Sequence, residues 1–364
     1  MNRLLTLFLT LLCLLACGCT KETARTERRG TLEVTLGLPE GDGATRAAYT
    51  DSYTSEKTGS GRVLVFDSAG NLEASKAFGE TSSFPVKVSL TLTQGEKTVA
   101  AVLNVPSSDM DSFTTLLALR AYRYEMSGDL NGSSAKRFQM VGEASVTVGE
   151  SAVSTTVSVS RVAARVVVRS ISNEYLGGGS LKLNRIFLGN VAGDWCASSP
   201  SSVSTWYNAQ GRSDRTRSHI IDGSSYVAGL PALTCRSLGA SVSYGGSWTG
   251  TALPLYCYPN ASTKGNAGYT SSFSGEYTTL VVAATLPGSS SECYYVIPLD
   301  QTTDTYPVEG NYSYTVDLTI YGIGTSDPNT PASGLAAKAT VSVTDWYDGR
   351  EYAATFTETG IENN

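Results

Sequence analysis

The sequence predicts an all-β protein made of two antiparallel β-sandwiches, and three observations predict it. Apolar and polar residues alternate in short runs along most of the chain, the two-residue period of a strand with one buried face. Glycine (36 residues) and abundant serine and threonine punctuate those runs where turns are needed. Hydrophobic residues are 41% against 16% charged, which supplies a core and excludes a disordered chain. The length of 364 residues allows one to three domains, and the strand pattern restarts near residue 160. A net charge of −6, with no Lys/Arg run, argues against nucleic acid as a partner.

The first segment reads as a secretory signal. MNR is a charged n-region and LLTLFLTLLCLLA at 4–16 a short apolar h-region, too short for a spanning helix. It ends in LLAC at 14–17, which resembles the lipobox of bacterial lipoproteins. That resemblance implies removal of 1–16 and a lipid such as palmitate on Cys17, with Cys19 as the alternative acceptor. Residues 17–30 are polar and charged and read as a tether.

In the first sandwich, 31–160, alternation marks TLEVTLGL at 31–38, RVLVFD at 62–67, VKVSLTLT at 86–93, ASVTV at 144–148 and AVSTTVSVS at 152–160. TVAAVLNV at 98–105 is continuously apolar and is expected in the middle of its sheet. Turns fall at SAGN (68–71), QGE (94–96) and VGE (148–150). One helix is expected over 107–122, capped by Ser107 or Ser108, with Phe113, Leu116 and Leu117 as its apolar stripe. Asp109 and Asp111 are read as acids of its first turn rather than as a calcium site.

The second sandwich, 161–346, is expected to hold strands at 161–170, 181–189, 253–260, 277–286, 293–299, 312–322 and 338–346. Long Ser/Gly-rich connections separate them, above all 196–250. Cys196, Cys235, Cys257 and Cys293 form an even set in an oxidising compartment, so disulfides are possible; buried free thiols are the alternative. Their spacing matches no zinc pattern. His219 is the only histidine and stands in a polar loop. No GxSxG elbow, Walker loop or dinucleotide fingerprint is present. The sequence therefore predicts neither an enzyme nor a cofactor or metal.

Four stretches, in this order and with the lipobox, carry a resemblance. They are VLVFDSAGNLE (63–73), VAAVLNVPSSDMDSFTTLLAL (99–119), VSVSRVAARVVV (157–168) and YPVEGNYSYTVDLTIYGIGTSDPNTP (306–331) followed by VSVTDW (341–346). The series resembles the fimbrillin family, the type V pilins of Bacteroidia. The resemblance implies two transthyretin-like β-sandwiches and export as a lipoprotein. It also implies trimming by an arginine-specific protease and filling of the vacated first-strand groove by a strand from another subunit.

Carried onto this chain, the positions are the anchor Cys17, the removable strand at 31–38 and the bond Arg46–Ala47. The residues are compatible with them, but taken without the resemblance they favour an Arg46 that merely solubilises its loop and a first strand that stays in place. Arg46 stands in GDGATRAAYTD at 41–51, slim and open as nicking sites are. Leu32, Val34, Leu36 and Leu38 share one face, and burying four such side chains is worth roughly 6–10 kcal/mol before ordering costs. Removing them leaves an apolar slot that β-augmentation would refill. The candidate donor is the tail 347–364, where Tyr352, Ala354 and Phe356 alternate. It is long enough to extend roughly 60 Å. A frayed C-terminus or a hairpin strand on its own sandwich is the alternative.

The expected function is thus a pilus subunit at the outer membrane and then in the surface fimbrium, supporting adhesion. Its expected partners are other pilin subunits and the trimming protease. Possession of both slot and tail favours a stalk role over a tip or an anchor. The rival reading is a surface lipoprotein that binds glycans on Trp195, Trp206 and Trp248.

Overall fold

The computed structural model describes residues 28–37, 59–80, 84–131, 135–207, 231–249, 254–261, 277–299, 307–328, 336–346 and 352–357. The first part of the chain supplies β1 (Arg29–Gly37), β2 (Gly61–Phe66), β3 (Leu72–Phe78), β4 (Val86–Thr93), β5 (Gly95–Leu103) and β6 (Arg123–Glu125). It continues through β7 (Leu130–Asn131), β8 (Ala135–Lys136), β9 (Met140–Val148), β10 (Val153–Ser158) and β11 (Ser160–Arg161). The second part supplies β12 (Ala164–Asn173), β13 (Leu181–Gly189), β14 (Val191–Ala192), β15 (Asp194–Cys196), β16 (Trp206–Tyr207) and β17 (Cys235–Val242). After these come β18 (Ser247–Trp248), β19 (Leu255–Cys257), β20 (Thr279–Thr285), β21 (Glu292–Pro298), β22 (Tyr312–Ile320), β23 (Ala337–Asp345) and β24 (Tyr352–Thr357).

The first sandwich stacks a three-stranded sheet, β10-β1-β4, on a five-stranded one, β11-β9-β5-β2-β3. β5 lies in the middle of its sheet, as its unbroken apolar run requires, because both of its faces are covered. Val99, Ala101 and Leu103 face the three-stranded sheet, while Ala100 and Val102 join the larger core on the other side. The second sandwich stacks β18-β12-β22-β23-β24 on β17-β13-β20-β21, with β19 also paired to β12. β12 runs parallel to β22, and β22 antiparallel to β23. The two sandwiches share one core, since Phe66, Val102, Tyr124 and Phe138 belong to the same buried cluster as Val166, Leu188, Val282 and Trp346. A short ladder also crosses between them, pairing β6 with β15.

Five expectations need correction here. The helix expected over 107–122 is two short helices, α1 (Ser107–Met110) and α2 (Leu116–Ala121). The chain between them is drawn into the sheet: Leu72 donates to the Thr114 carbonyl and Asn71 bridges Thr115. Neither serine caps α1, whose N-cap is Pro106, whereas the Thr115 hydroxyl accepts the Ala118 N–H at 3.0 Å and caps α2. Only Asp109 of the two acids lies in the first turn of α1; Asp111 pairs with Arg62. The apolar stripe also breaks, because Leu117 is 75% exposed. Finally, the stretch taken as a long connection, 196–250, contains β17, which pairs with β13.

Candidate functional site

β1 sits in a slot walled on both sides. It pairs antiparallel with β4, Leu32 opposite Leu90, Val34 opposite Val88 and Leu36 opposite Val86. It pairs parallel with β10, Leu32 opposite Val153, Val34 opposite Thr155 and Leu36 opposite Val157. Leu32, Val34 and Leu36 are each fully buried, packed with Val63, Val65, Val99 and Val157. Their burial is worth roughly 4–9 kcal/mol before ordering costs. Gly30 fits where no side chain would, because a Cβ there would lie 2.1 Å from the Gly149 carbonyl oxygen. At the other end of the strand Val159 donates to the Gly37 carbonyl at 2.9 Å.

β24 is held differently. Among the described residues it is the last strand of its sheet and pairs only with β23, placing Tyr352, Ala354 and Phe356 opposite Val343, Val341 and Ala339. Residues 352–357 therefore pair as the home-sandwich hairpin strand that was an alternative to an extended donor. An antiparallel partner with a covered face offers nearer contacts than solvent does, and that favours the home position.

The chain enters this hairpin through a fixed point, Trp346. Its ring stacks on Tyr256 at 5.8 Å and meets Phe138 edge-on at 5.3 Å. The guanidinium of Arg161 lies 4.4 Å from the same ring and that of Arg165 5.2 Å. The Trp346 N–H donates to the Asn311 carbonyl at 2.8 Å, and the Asn311 side-chain oxygen accepts the Arg161 N–H. Phe138 comes from the first sandwich and Tyr256 from the second, so this ring touches both.

No sequence-family model matches the chain, and no curated protein matches it by sequence. Solved structures match its fold. A candidate cell adhesion protein from Parabacteroides distasonis aligns with a TM-score of 0.61 at 14% identity, covering 89% of this chain and 99% of its own. A fimbrilin from Porphyromonas gingivalis aligns with a TM-score of 0.55 at 14% identity, covering 88% and 99%. The tip fimbrial protein Mfa3 of the same organism, truncated at its C-terminus, aligns at 0.51 and 14% identity, covering 87% and 100%.

The fold is the fimbrillin fold.

Within this fimbrillin fold the sequence-derived positions fare unequally. Leu32, Val34 and Leu36 come together in the slot. Leu38, the Arg46–Ala47 bond, Cys17, Cys19 and His219 lie outside the described residues. Cys196, Cys235, Cys257 and Cys293 are free thiols rather than disulfides. Their backbones register against Arg123, Phe187, Ala164 and Ala284, four different places in the fold. Cys293 donates its thiol to the Ala284 carbonyl, and burial pushes the Cys257 thiol up to about 12.

Of the tryptophans offered to a glycan, Trp195 and Trp248 are half-buried, and the Trp206 side chain lies outside the described ones. Trp195 lies against Tyr124, ring centres 5.7 Å apart, and Trp248 packs on the main core. Two buried acids stand at the junction of the sandwiches. Asp194 accepts from Arg123 and from the Ser204 and Thr205 N–H groups. Asp129 accepts the Gln139 N–H at 2.8 Å, yet burial pushes its carboxyl up to about 7.

Sequence reasoning missed the Trp346 cage and the Gly30 contact. The cage had a signal in two arginines four apart, Arg161 and Arg165, inside a strand that otherwise turns apolar. Gly30 had none, because the backbone it meets lies more than a hundred residues away.

Proposed function

We propose that this chain is a structural subunit of a cell-surface pilus. It is exported as a lipoprotein on Cys17, trimmed after Arg46 by an arginine-specific protease, and joined to other subunits by strand exchange. The observation that carries this reading is the placement of β1, a central strand whose three apolar side chains fill a core that β4 and β10 cannot close without it. Its loss would leave two facing edges of unpaired backbone groups and an apolar slot, an arrangement that demands another strand. β24 supports the reading from the other side. It is paired along one edge only, follows a fixed root at Trp346, and alternates as a slot filler must. Possession of both features favours a stalk position, with accessory subunits at tip and base and adhesion as the outcome. The likeness of fold to a fimbrilin and a tip fimbrial protein is consistent with this reading.

The N-terminal residue of the protein recovered from assembled surface fibres tests the proposal. Ala47 is expected. Fibres whose subunits retain residues 31–38 hydrogen-bonded in place would overturn it. A second arm trims the purified chain with trypsin and resolves the product by native electrophoresis. A ladder of oligomers is expected, and deletion of 350–364 should abolish it while leaving a folded monomer.

A further inference from the structure

Among the described residues β3 and β4 each stand at the edge of a sheet in the first sandwich, and two side chains of β3 reach across to β4. An edge strand turns the N–H and C=O of every second residue away from its sheet, a template on which another strand can build. On β4 those groups can be named. The Gln94 N–H donates to the Arg28 carbonyl, on the β1 side. Successive residues of a strand alternate the direction of these groups, so those of Ser89, Thr91 and Thr93 point away from β1, along the outer edge.

Glu73 and Lys76 occupy that edge. The Thr93 N–H donates to the Glu73 carboxylate, and the Lys76 ammonium donates to the Ser89 carbonyl at 3.1 Å. An added strand would need the same two backbone groups. Glu73 is fixed from behind, because its other oxygen lies 2.6 Å from Nζ of Lys97. Lys97 is itself buried and donates to the Thr93 hydroxyl at 2.8 Å. Lys76 alternates with Ala74 and Phe78, which pack on the core of the slot. It is a charge turned inward on an edge strand, and a strand entering between β3 and β4 would have to bury it. Ser89 and Thr93 are four residues apart, so the two contacts guard roughly 13 Å of edge. The other edge of β4 carries no such guard: there Val86, Val88 and Leu90 stand opposite the apolar residues of β1.

We propose that Glu73 and Lys76 determine where a strand can join this sheet. They close the outer edge of β4, so an incoming strand pairs with β4 on the β1 side alone. In the untrimmed chain, where β1 fills that side, the same closure keeps copies from joining edge to edge. The proposal rests on the pilus-subunit reading for the identity of the incoming strand, and adds the residues that deny it the wrong berth.

A labelled peptide of residues 29–38, the sequence of β1, is the probe, and fluorescence anisotropy reads its uptake by the full untrimmed chain. The wild type is expected to take up none. Lys76→Ala with Glu73→Gln should raise uptake about tenfold above that background, as two backbone groups become available for pairing. Lys76→Ala alone leaves the Glu73–Lys97 pair intact and should give a smaller rise, whereas Lys76→Arg should stay closed. Circular dichroism checks that each variant is folded. Uptake by folded Lys76→Ala no greater than by the wild type would overturn the proposal. Strand exchange is judged separately, on the wild-type chain trimmed after Arg46. One peptide per chain supports both readings. Two would overturn the closed edge and leave strand exchange standing. None would overturn strand exchange, and the untrimmed variants would still decide the edge.

Discussion

The two strands on which assembly is proposed to turn, β1 and β24, are held in opposite ways. β1 has a hydrogen-bonded neighbour on each side and three fully buried side chains. Among the described residues β24 has one neighbour and stands at a sheet edge. A strand gripped on both sides does not leave by fluctuation at a useful rate, so its removal calls for a break in the chain beside it. A strand gripped on one side opens locally at far lower cost. On the proposed reading, strand position alone would separate an irreversible step from a reversible one.

The largest way to break this contrast is Val34→Asp, which puts an unpaired carboxylate in the middle of the slot. The untrimmed chain is expected to fail to fold the first sandwich, a loss beyond about 4 kcal/mol. Urea unfolding followed by fluorescence would read this. Trp346→Ala comes next. It empties the ring's site between Tyr256, Phe138 and the two arginines and is expected to cost about 3–5 kcal/mol. Hydrogen exchange should speed in β23 and β24 more than in β1, and equal acceleration in all three would argue against Trp346 as the root of the tail.

A third prediction concerns pH. Burial pushes the Asp129 carboxyl of the folded state up to about 7 from its ordinary value of 3.8. Between those values the folded state holds a proton that the unfolded chain has released, so stability falls as pH rises from about 4 to about 7. Asp129→Asn should flatten that slope in thermal melts, and a slope that survives the substitution would assign it elsewhere. The smallest effect is expected from Thr355→Pro in the middle of β24, opposite Thr340. It should free the tail, raise exchange in 352–357 and leave the thermal midpoint nearly unchanged.

Much of the fold was legible because alternation is a local signal. The strands at 86–93 and 181–189 stand where the pattern put them, and 98–105 is central because its apolar run has no polar side to show. What was not legible was set by distant partners. Helix periodicity over 107–122 was overridden by the Asn71–Thr115 bridge. The pairing of β1 with β10, more than a hundred residues apart and parallel, has no trace in either segment. β17 was missed because CRSLGASV carries glycine and serine where a strand signal needs β-branched residues. The slot face at Leu32, Val34 and Leu36 was readable, whereas the wall behind it was not. For the tail the alternation of Tyr352, Ala354 and Phe356 was visible, but its home partner was not.

The double wall around β1 has a mechanical meaning. A strand lying between β4 and β10 and pulled along its own axis strains both ladders in shear, so many hydrogen bonds share the tension together. Peeling would instead load them one after another. A fibre linked through such slots would resist flow drag far better than one joined at sheet edges, and the same pull would reach the body of each unit through the indole ring clasped by both halves.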